Sequence, residues 1–385
     1  MNSKDQLIYL DNNSTTRIDD RVIDKMIPLL KELYANASSS HYFGKTINQL
    51  IKDSRAEVSN LIGCDPNEII FTAGATESIN LALKGLALSP SFNRKKIVTI
   101  CTEHKAVLDT CKNLENQGFE IVYLPVNNDG TVDMKVFASA IDSDTLLVTA
   151  MYVNNETGVI HAIEQMSELA RKNGTLFFCD ATQAFGKIPI DVNKLGIDLM
   201  CFSGHKFHAP KGVGGLYVKN ALRNKLLPQQ SGGGQEFGIR SGTLNTAGIV
   251  GLGEACKISF YEMKTVEEKV EELRNLLEKE LLKIPGTFIN GNIKKRIYNT
   301  TSICFPNNDA NVIIGRLKNI AVSNGSACTS LVVEPSHVLN SMGLSEDLAL
   351  SAIRFSLSKF NTEAEIRKTV EEIKTVLVSS KLPTL

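Results

Sequence analysis

Short apolar runs of strand length alternate with longer amphipathic or polar segments between about residues 68 and 218. This alternation is typical of βα units built around a mostly parallel sheet. We therefore predict an α/β fold in which helices flank a central sheet. Its strands are expected at residues 68–72, 97–101, 120–124, 145–150, 175–179, 199–203 and 215–218.

A different pattern begins at Glu262. Residues 262–283 are rich in Glu, Lys and Leu, and their apolar positions recur at helical spacing, which predicts a long amphipathic helix at a domain boundary. We expect a large domain over 17–261 and a smaller α+β domain formed by 1–16 and 262–385. The smaller domain is predicted to contain strands near 287–289, 301–305, 321–323 and 352–357, and helices near 309–319 and 362–379.

The charge balance narrows the classes of partner. The chain of 385 residues has 42 basic and 42 acidic side chains, for a net charge of zero. A nucleic-acid binder usually carries a basic excess, so we expect a small-molecule or protein partner and no direct nucleic acid. No stretch approaches the ~18 to 20 apolar residues of a membrane span, and residues 1–11 lack the apolar core of a secretion signal. We expect no membrane contact and a cytoplasmic location.

The eight cysteines show no metal-binding pattern. No pair has the C-x-x-C spacing of a zinc or cluster site. Several occur inside apolar runs such as 176–179 and 199–202, where a free cysteine behaves as a small buried hydrophobe. The sequence therefore indicates a reducing compartment and no metal cluster.

The candidate chemistry follows the predicted strands, because ligands bind at the carboxyl ends of strands in open parallel sheets. Strand 68–72 is followed by a run of small residues, Ala73, Gly74 and Ala75, and then by Thr76. Backbone N–H groups at such a helix start, with the Thr76 hydroxyl, can hold a phosphate. The alternative is an ordinary helix cap in which Thr72 or Thr76 satisfies the first amides.

Two further strand ends carry an acid and a base. Asp180 follows strand 175–179, and Lys206 follows strand 199–203. A desolvated lysine is the nucleophile of imine chemistry, and an aspartate can pair with the ring nitrogen of pyridoxal 5′-phosphate (PLP). The alternatives are a helix-capping Asp180 and a Lys206 that extends to the surface. Together with the phosphate cradle, these residues predict a PLP site.

Two polar residues could complete that site. His104, after strand 97–101, could stack on the cofactor ring and shuttle protons, although a capping or core histidine is an equally good interpretation. Asn155 could bond the phenolic oxygen of the ring.

Nine short stretches carry a resemblance that covers essentially the whole chain. They are residues 9–16 (YLDNNSTT), 73–78 (AGATES), 102–104 (TEH), 153–158 (VNNETG), 180–183 (DATQ), 203–206 (SGHK), 240–243 (RSGT), 323–330 (SNGSACTS) and 354–356 (RFS). Each stretch is weak alone, but the ordered series is specific. The chain resembles the IscS/NifS-type cysteine desulfurases of the class V aminotransferase superfamily.

The resemblance implies a PLP-dependent transferase of fold type I that acts as a homodimer. It implies that Lys206 bonds to the cofactor, that Ala75, Thr76, Ser203 and His205 hold its phosphate, and that Thr243 reaches the phosphate in the neighbouring subunit. It also implies that Asn155 and Gln183 contact the ring oxygen, while Arg354, with Asn155, holds the substrate carboxylate.

Cys328 distinguishes among the reactions of the superfamily. It lies in a stretch of small and polar residues, 323–330, which cannot pack it into a core; the alternative is an incidental exposed cysteine. The resemblance implies that L-cysteine is converted to L-alanine, that the sulfur remains on Cys328 as a persulfide, and that His104 is the acid/base partner for the thiol steps. It further implies transfer to an acceptor protein, such as an iron-sulfur scaffold, for cluster assembly or tRNA thiolation.

Other activities stay open from the sequence alone. A selenocysteine lyase or another class V aminotransferase would use much of the same site, although an aminotransferase has no need of a loop thiol. A further alternative is not primarily an enzyme: the chain would work mainly as a sulfur-delivery and docking protein.

Overall fold

The computed structural model describes residues 7–325 and 334–379 of the chain. In chain order the strands are β1 (Ile8–Tyr9), β2 (Ile69–Thr72), β3 (Lys96–Ile100), β4 (Glu120–Leu124), β5 (Thr145–Met151), β6 (Leu176–Asp180), β7 (Leu199–Ser203), β8 (Gly214–Val218), β9 (Phe288–Asn290), β10 (Thr300–Cys304), β11 (Ile320–Ala321) and β12 (Ala352–Ser356). The α-helices are α1 (Asp20–Lys31), α2 (Tyr42–Ile62), α3 (Ala75–Ala87), α4 (Lys105–Glu115), α5 (Met134–Ser139), α6 (Ile163–Lys172), α7 (Asn220–Arg223), α8 (Thr246–Leu281), α9 (Ala310–Arg316), α10 (His337–Ser341), α11 (Glu346–Leu350) and α12 (Glu363–Ser379).

The seven strands predicted between residues 68 and 218 form one sheet, in the order β2-β8-β7-β6-β5-β3-β4. Strands β4, β3, β5, β6 and β7 pair in parallel, and β8 runs antiparallel to both of its neighbours. Strand β7 is buried along its whole length, as expected for a sheet covered on both faces. Apolar residues of α3 and α4 form a core on one face, and those of α2, α6 and α8 belong to the core on the other. The predicted α/β fold with a mostly parallel sheet is confirmed.

The remaining strands form two small sheets. Strands β12, β10 and β9 pair antiparallel, and β1 pairs in parallel with β11. Isolated bridges join Asp11 to Ser356 and Ser323 to Arg354, so the N-terminal segment and the segment before residue 326 both lie against β12. The assignment of these elements to a separate domain stays a prediction.

The long helix α8 begins at Thr246, well before the predicted start at Glu262. Its first part contains Gly248, Gly251 and Gly253, which are weak helix formers and obscure the helical periodicity. The structure explains these small residues, because a Cβ on Gly253 would lie 2.7 Å from the Cβ of Ser54 in α2. The close packing of α8 on α2 therefore requires glycine at this position, although glycine lowers the local helix propensity. None of the helices within 7–325 and 334–379 combines the length and apolar character that a membrane crossing requires.

Candidate active site

The carboxyl ends of the parallel strands open into a cavity of about 840 Å³. Of the predicted cofactor and substrate residues, all but Thr243 line it: Ala75, Thr76, His104, Asn155, Asp180, Gln183, Ser203, His205, Lys206 and Arg354. Thr243 is exposed and does not line this cavity. The sequence therefore predicted the members of one site that the fold brings together from widely separated segments.

Lys206 ends a short 3₁₀ turn, Gly204–Lys206, that directly follows β7. The half-buried side chain lines the cavity instead of extending to the outer surface, and Nζ donates to the carbonyl oxygens of Asn13 at 2.7 Å and Ser14 at 2.8 Å. Burial, and then the nearby Arg354 guanidinium, lower the pKa of Lys206 to about 8. A substantial fraction of the amine is thus neutral near pH 8, as imine chemistry requires.

Asp180 is the last residue of β6 and is buried. Its Oδ1 accepts hydrogen bonds from the Thr182 amide at 2.9 Å and the Cys201 thiol at 3.3 Å. The first of these bonds matches the capping alternative. Within the described residues, however, Oδ2 has no hydrogen-bond partner, so one carboxylate oxygen is left for a protonated ring nitrogen.

The start of α3 provides the anion-binding part of the cavity. Gly74 precedes the helix with φ 153°, and no side chain caps the first turn. The backbone N–H groups of the first turn have no intrahelical acceptor and line the cavity with the Thr76 and Ser203 side chains. The capping alternative is not observed: no side chain caps α3, and the Thr72 hydroxyl bonds to the Gly74 N–H, the Gly74 carbonyl and the Ser78 hydroxyl. These donors fit a phosphate.

His104 caps a helix at the edge of the cavity, which is one of the two interpretations that the sequence left open. It is the N-cap of α4, where Nδ1 accepts a hydrogen bond from the Ala106 amide at 3.1 Å, and its ring also lines the cavity. Desolvation by surrounding atoms is the main cause that lowers the pKa of His104. The neutral imidazole is therefore favoured, and its proton lies on Nε2 because Nδ1 accepts.

Arg354, in β12, lines the cavity and is buried. Its Nη1 donates to the Asn155 carbonyl at 3.1 Å, and its Nη2 donates to Asp11 at 2.7 Å and Ser14 at 2.8 Å. The buried Nε has no partner within the described residues. A guanidinium held in this way can recognise the carboxylate of a small substrate.

Two contributors to the site were not predicted. The Asn13 carbonyl accepts from both Gln183 and Lys206, and the Lys187 ammonium donates to Gln183 from behind the cavity wall. Asn13 lies in the stretch 9–16 that carries the family resemblance, so the sequence did contain a signal that this residue belongs to the site. For Lys187, the only signal in the sequence was its position four residues after Gln183.

Cys328 lies outside the described residues. The last described residue before it, Gly325, and the first described residue after it, Glu334, both line the cavity. The seven described cysteines are free thiols, and none of them lines it. Burial raises the pKa of six of these thiols, which disfavours the reactive thiolate. The six are Cys64, Cys111, Cys179, Cys201, Cys256 and Cys304.

Known proteins resemble this chain over most of its length. The family model described as aminotransferase class-V matches residues 8–369. The chain is 47% identical over 371 residues to a probable mitochondrial cysteine desulfurase of Dictyostelium discoideum, which covers 96% of this chain and 82% of that protein. It is 47% identical over 361 residues to cysteine desulfurase IscS of Dechloromonas aromatica, covering 93% of this chain and 89% of that protein. A solved NifS-like protein has a TM-score of 0.92 and 39% identity, covering 97% of this chain and all of that one. The chain belongs to the class-V aminotransferase family.

Proposed function

We propose that this chain is a PLP-dependent cysteine desulfurase, which converts L-cysteine to L-alanine and retains the sulfur as a persulfide on Cys328. The observation that carries this proposal is one cavity that brings together the Lys206 amine, the Asp180 carboxylate, the open start of α3 and the Arg354 guanidinium. Relatives at 47% identity are named cysteine desulfurases, which supports the same activity.

The residues present fit PLP by their chemistry. Ala75, Thr76, Ser203 and His205 would hold the phosphate, Asp180 would hold the ring nitrogen, and Asn155 and Gln183 would contact the ring oxygen. Lys206 would bond to the cofactor, which, when bound, supplies an electron sink for the electrons released at the substrate α-carbon.

The chain itself orients the substrate and moves the protons. Arg354 binds the carboxylate of L-cysteine, which fixes the α-carbon within the cavity. The Lys206 amine, whose pKa is lowered to about 8, accepts the α-proton and can return it. His104 holds a proton on Nε2 at the same cavity and is the acid/base partner for the thiol steps.

Sulfur transfer needs a thiolate that the described cysteines do not provide at the cavity. The Cys328 thiolate attacks the sulfur of the bound substrate, so that a sulfur–sulfur bond forms and the carbon–sulfur bond breaks. The electron pair of the broken bond stays on the carbon product, which takes up protons and leaves as L-alanine. The enzyme keeps the sulfur as a persulfide, which a thiol acceptor then removes.

We expect a homodimer in which Thr243, which does not line the cavity of its own chain, contacts the cofactor phosphate of the partner subunit. The acceptor is a protein such as an iron-sulfur scaffold, with cluster assembly or tRNA thiolation downstream. A reducing compartment such as the cytoplasm fits the seven described cysteines, all of which are free thiols.

Two variants test the assignment by separating the roles of the amine and the thiol. Lys206→Ala should lose the visible absorbance of the bound cofactor and all sulfide release. Cys328→Ser should keep the absorbance and release no sulfide from L-cysteine. A Cys328→Ser protein that turns over cysteine at the full rate would overturn the thiol assignment. Keto-acid formation by the unmodified protein, without alanine and sulfide, would instead indicate an aminotransferase.

A further inference from the structure

Lys187 is a buried lysine that the proposed reaction does not use. It is 6% exposed, and within the described residues it forms no ion pair. Its only side-chain hydrogen bond there runs from Nζ to Oε1 of Gln183, at 2.8 Å. An ammonium without a carboxylate partner is costly to bury, and burial, with Lys206 and Arg354 nearby, lowers the pKa of Lys187 to about 7. The hydrogen bond to Gln183 is therefore the one polar contact that holds this side chain in place.

That contact determines which way the Gln183 amide points. The oxygen and nitrogen of a glutamine amide can exchange places, so the orientation follows from the neighbouring groups. On one side Nε2 donates to the Asn13 carbonyl at 3.0 Å, and a carbonyl can only accept. On the other side Lys187 can only donate while it is protonated, so its ammonium form requires Oε1. Both neighbours select the same orientation, and a flipped amide would lose both hydrogen bonds.

The selected orientation decides what Gln183 offers to the cavity. Oε1 is occupied by Lys187, whereas Nε2 carries a second hydrogen in addition to the one bonded to Asn13. Gln183 is buried and lines the cavity. The remaining N–H can donate a hydrogen bond to a negatively charged oxygen. If the amide were flipped, its carbonyl oxygen would take this position and could only accept.

The same Asn13 carbonyl also accepts from Lys206 at 2.7 Å. Lys187, Gln183, Asn13 and Lys206 thus form a continuous hydrogen-bonded series that ends at the amine of the site. A disturbance at Lys187 would reach the cavity through Gln183, since Lys187 itself is not among the residues that line it.

We propose that Lys187 is a positioning residue that holds the Gln183 amide with its N–H edge toward the cavity, where it donates to the phenolic oxygen of the bound cofactor. This inference rests on the proposed PLP site. Donation to that oxygen strengthens cofactor binding and draws charge from the oxygen, which weakens its hold on the neighbouring imine proton.

The test uses the cofactor-loaded protein and the Lys187→Met variant, with Lys194→Met at an exposed lysine as the matched control. The dissociation constant of PLP and the pH midpoint of its visible absorbance are measured without substrate. Loss of one hydrogen bond is expected to weaken PLP binding about threefold to tenfold. The absorbance midpoint should rise, and Lys187→Arg, which keeps a donor, should restore both values toward those of the unmodified protein.

A double variant separates positioning from general destabilisation. In a Gln183→Met background, Lys187→Met should change neither the dissociation constant nor the midpoint further, because no amide remains to be oriented. A folded Lys187→Met protein with unmodified values, or an equal shift in the Gln183→Met background, would overturn the proposal. Lys187→Leu removes the donor with a different side-chain shape, so either folded variant decides the question.

These measurements need no turnover of cysteine. The role of Lys187 can therefore be tested separately from the desulfurase activity. Absence of alanine and sulfide from the unmodified protein would refute the desulfurase activity while leaving the spectral effect of Lys187 intact. A normal sulfide yield with no spectral effect of Lys187→Met would refute only the role of Lys187.

Discussion

Nη2 of Arg354 donates to Oδ1 of Asp11 at 2.7 Å, and this ion pair joins β12 to the segment that follows β1. The Arg354 side chain is 5% exposed, so the pair lies largely out of water. Nη1 is bonded to the Asn155 carbonyl, and Nε remains without a partner in the described structure. The guanidinium is therefore oriented before any substrate arrives.

Arg354→Lys should impair recognition of the substrate carboxylate. A lysine has a single ammonium in place of the planar fork, so it cannot keep both Asp11 and a carboxylate in the same geometry. We expect kcat/KM for L-cysteine to fall about tenfold to 100-fold, the cost of one or two charge-assisted hydrogen bonds. Steady-state assay of alanine checks this, with Arg367→Lys on the exposed face of α12 as control. Equal kcat/KM for the two variants would contradict the assignment.

The two roles of His104 can be separated by choice of substitution. Asparagine can replace the cap on the Ala106 amide but cannot act as an acid or base, whereas alanine removes both functions. Both variants should lose sulfide release about 100-fold or more. Only His104→Ala should also lose about 1 kcal/mol of unfolding free energy, measured by urea denaturation. Full activity in His104→Asn would exclude an acid/base role.

Two helical glycines should respond in opposite directions to alanine. At Gly253 in α8 the new methyl group would approach Ser54 of α2 within 3 Å of two of its carbon atoms, so Gly253→Ala should destabilise the protein by about 1 to 3 kcal/mol. At exposed Gly315 in α9 the methyl group would meet nothing within 4 Å, so Gly315→Ala should stabilise by about 0.5 to 1 kcal/mol. Thermal or urea unfolding distinguishes the two; a Gly253→Ala protein at least as stable as the unmodified one would contradict the packing of α2 on α8.

The buried Lys187 predicts a pH dependence of stability. Its pKa falls from 10.5, the usual value, to about 7 in the folded chain. Between these pH values the unfolded chain keeps a proton that the folded chain has released, so this lysine makes the unfolding free energy rise with pH. The slope is at most about 1.4 kcal/mol per pH unit.

Lys187→Met removes this contribution. The stability difference between the unmodified protein and the variant should therefore increase from pH 7 to pH 9 in urea unfolding of the cofactor-free protein. Lys194→Met should show a constant difference over the same range. Parallel curves for Lys187→Met would mean that Lys187 keeps its proton in the folded protein.

The strands and the candidate site residues were largely predictable because their signals are local. Strands β2 to β8 alternate with amphipathic segments, and Asp180 and Lys206 end or follow strands of a parallel sheet, whose carboxyl ends meet at one edge. The start of α8 was placed too late. Its glycines are selected by contact with Ser54, which lies about two hundred residues earlier in the chain.

The sequence by itself determined the strands of the large sheet, the residues at the strand ends and the family to which they correspond. Only the tertiary structure decided that the Asn13 carbonyl links Gln183 to Lys206, that Lys187 lies behind Gln183, and that the Lys206 amine has a lowered pKa. The physical reason is the range of each interaction. Hydrophobic periodicity is set by neighbours in the chain, whereas hydrogen-bond partners and desolvation are set by segments that meet only when the chain folds.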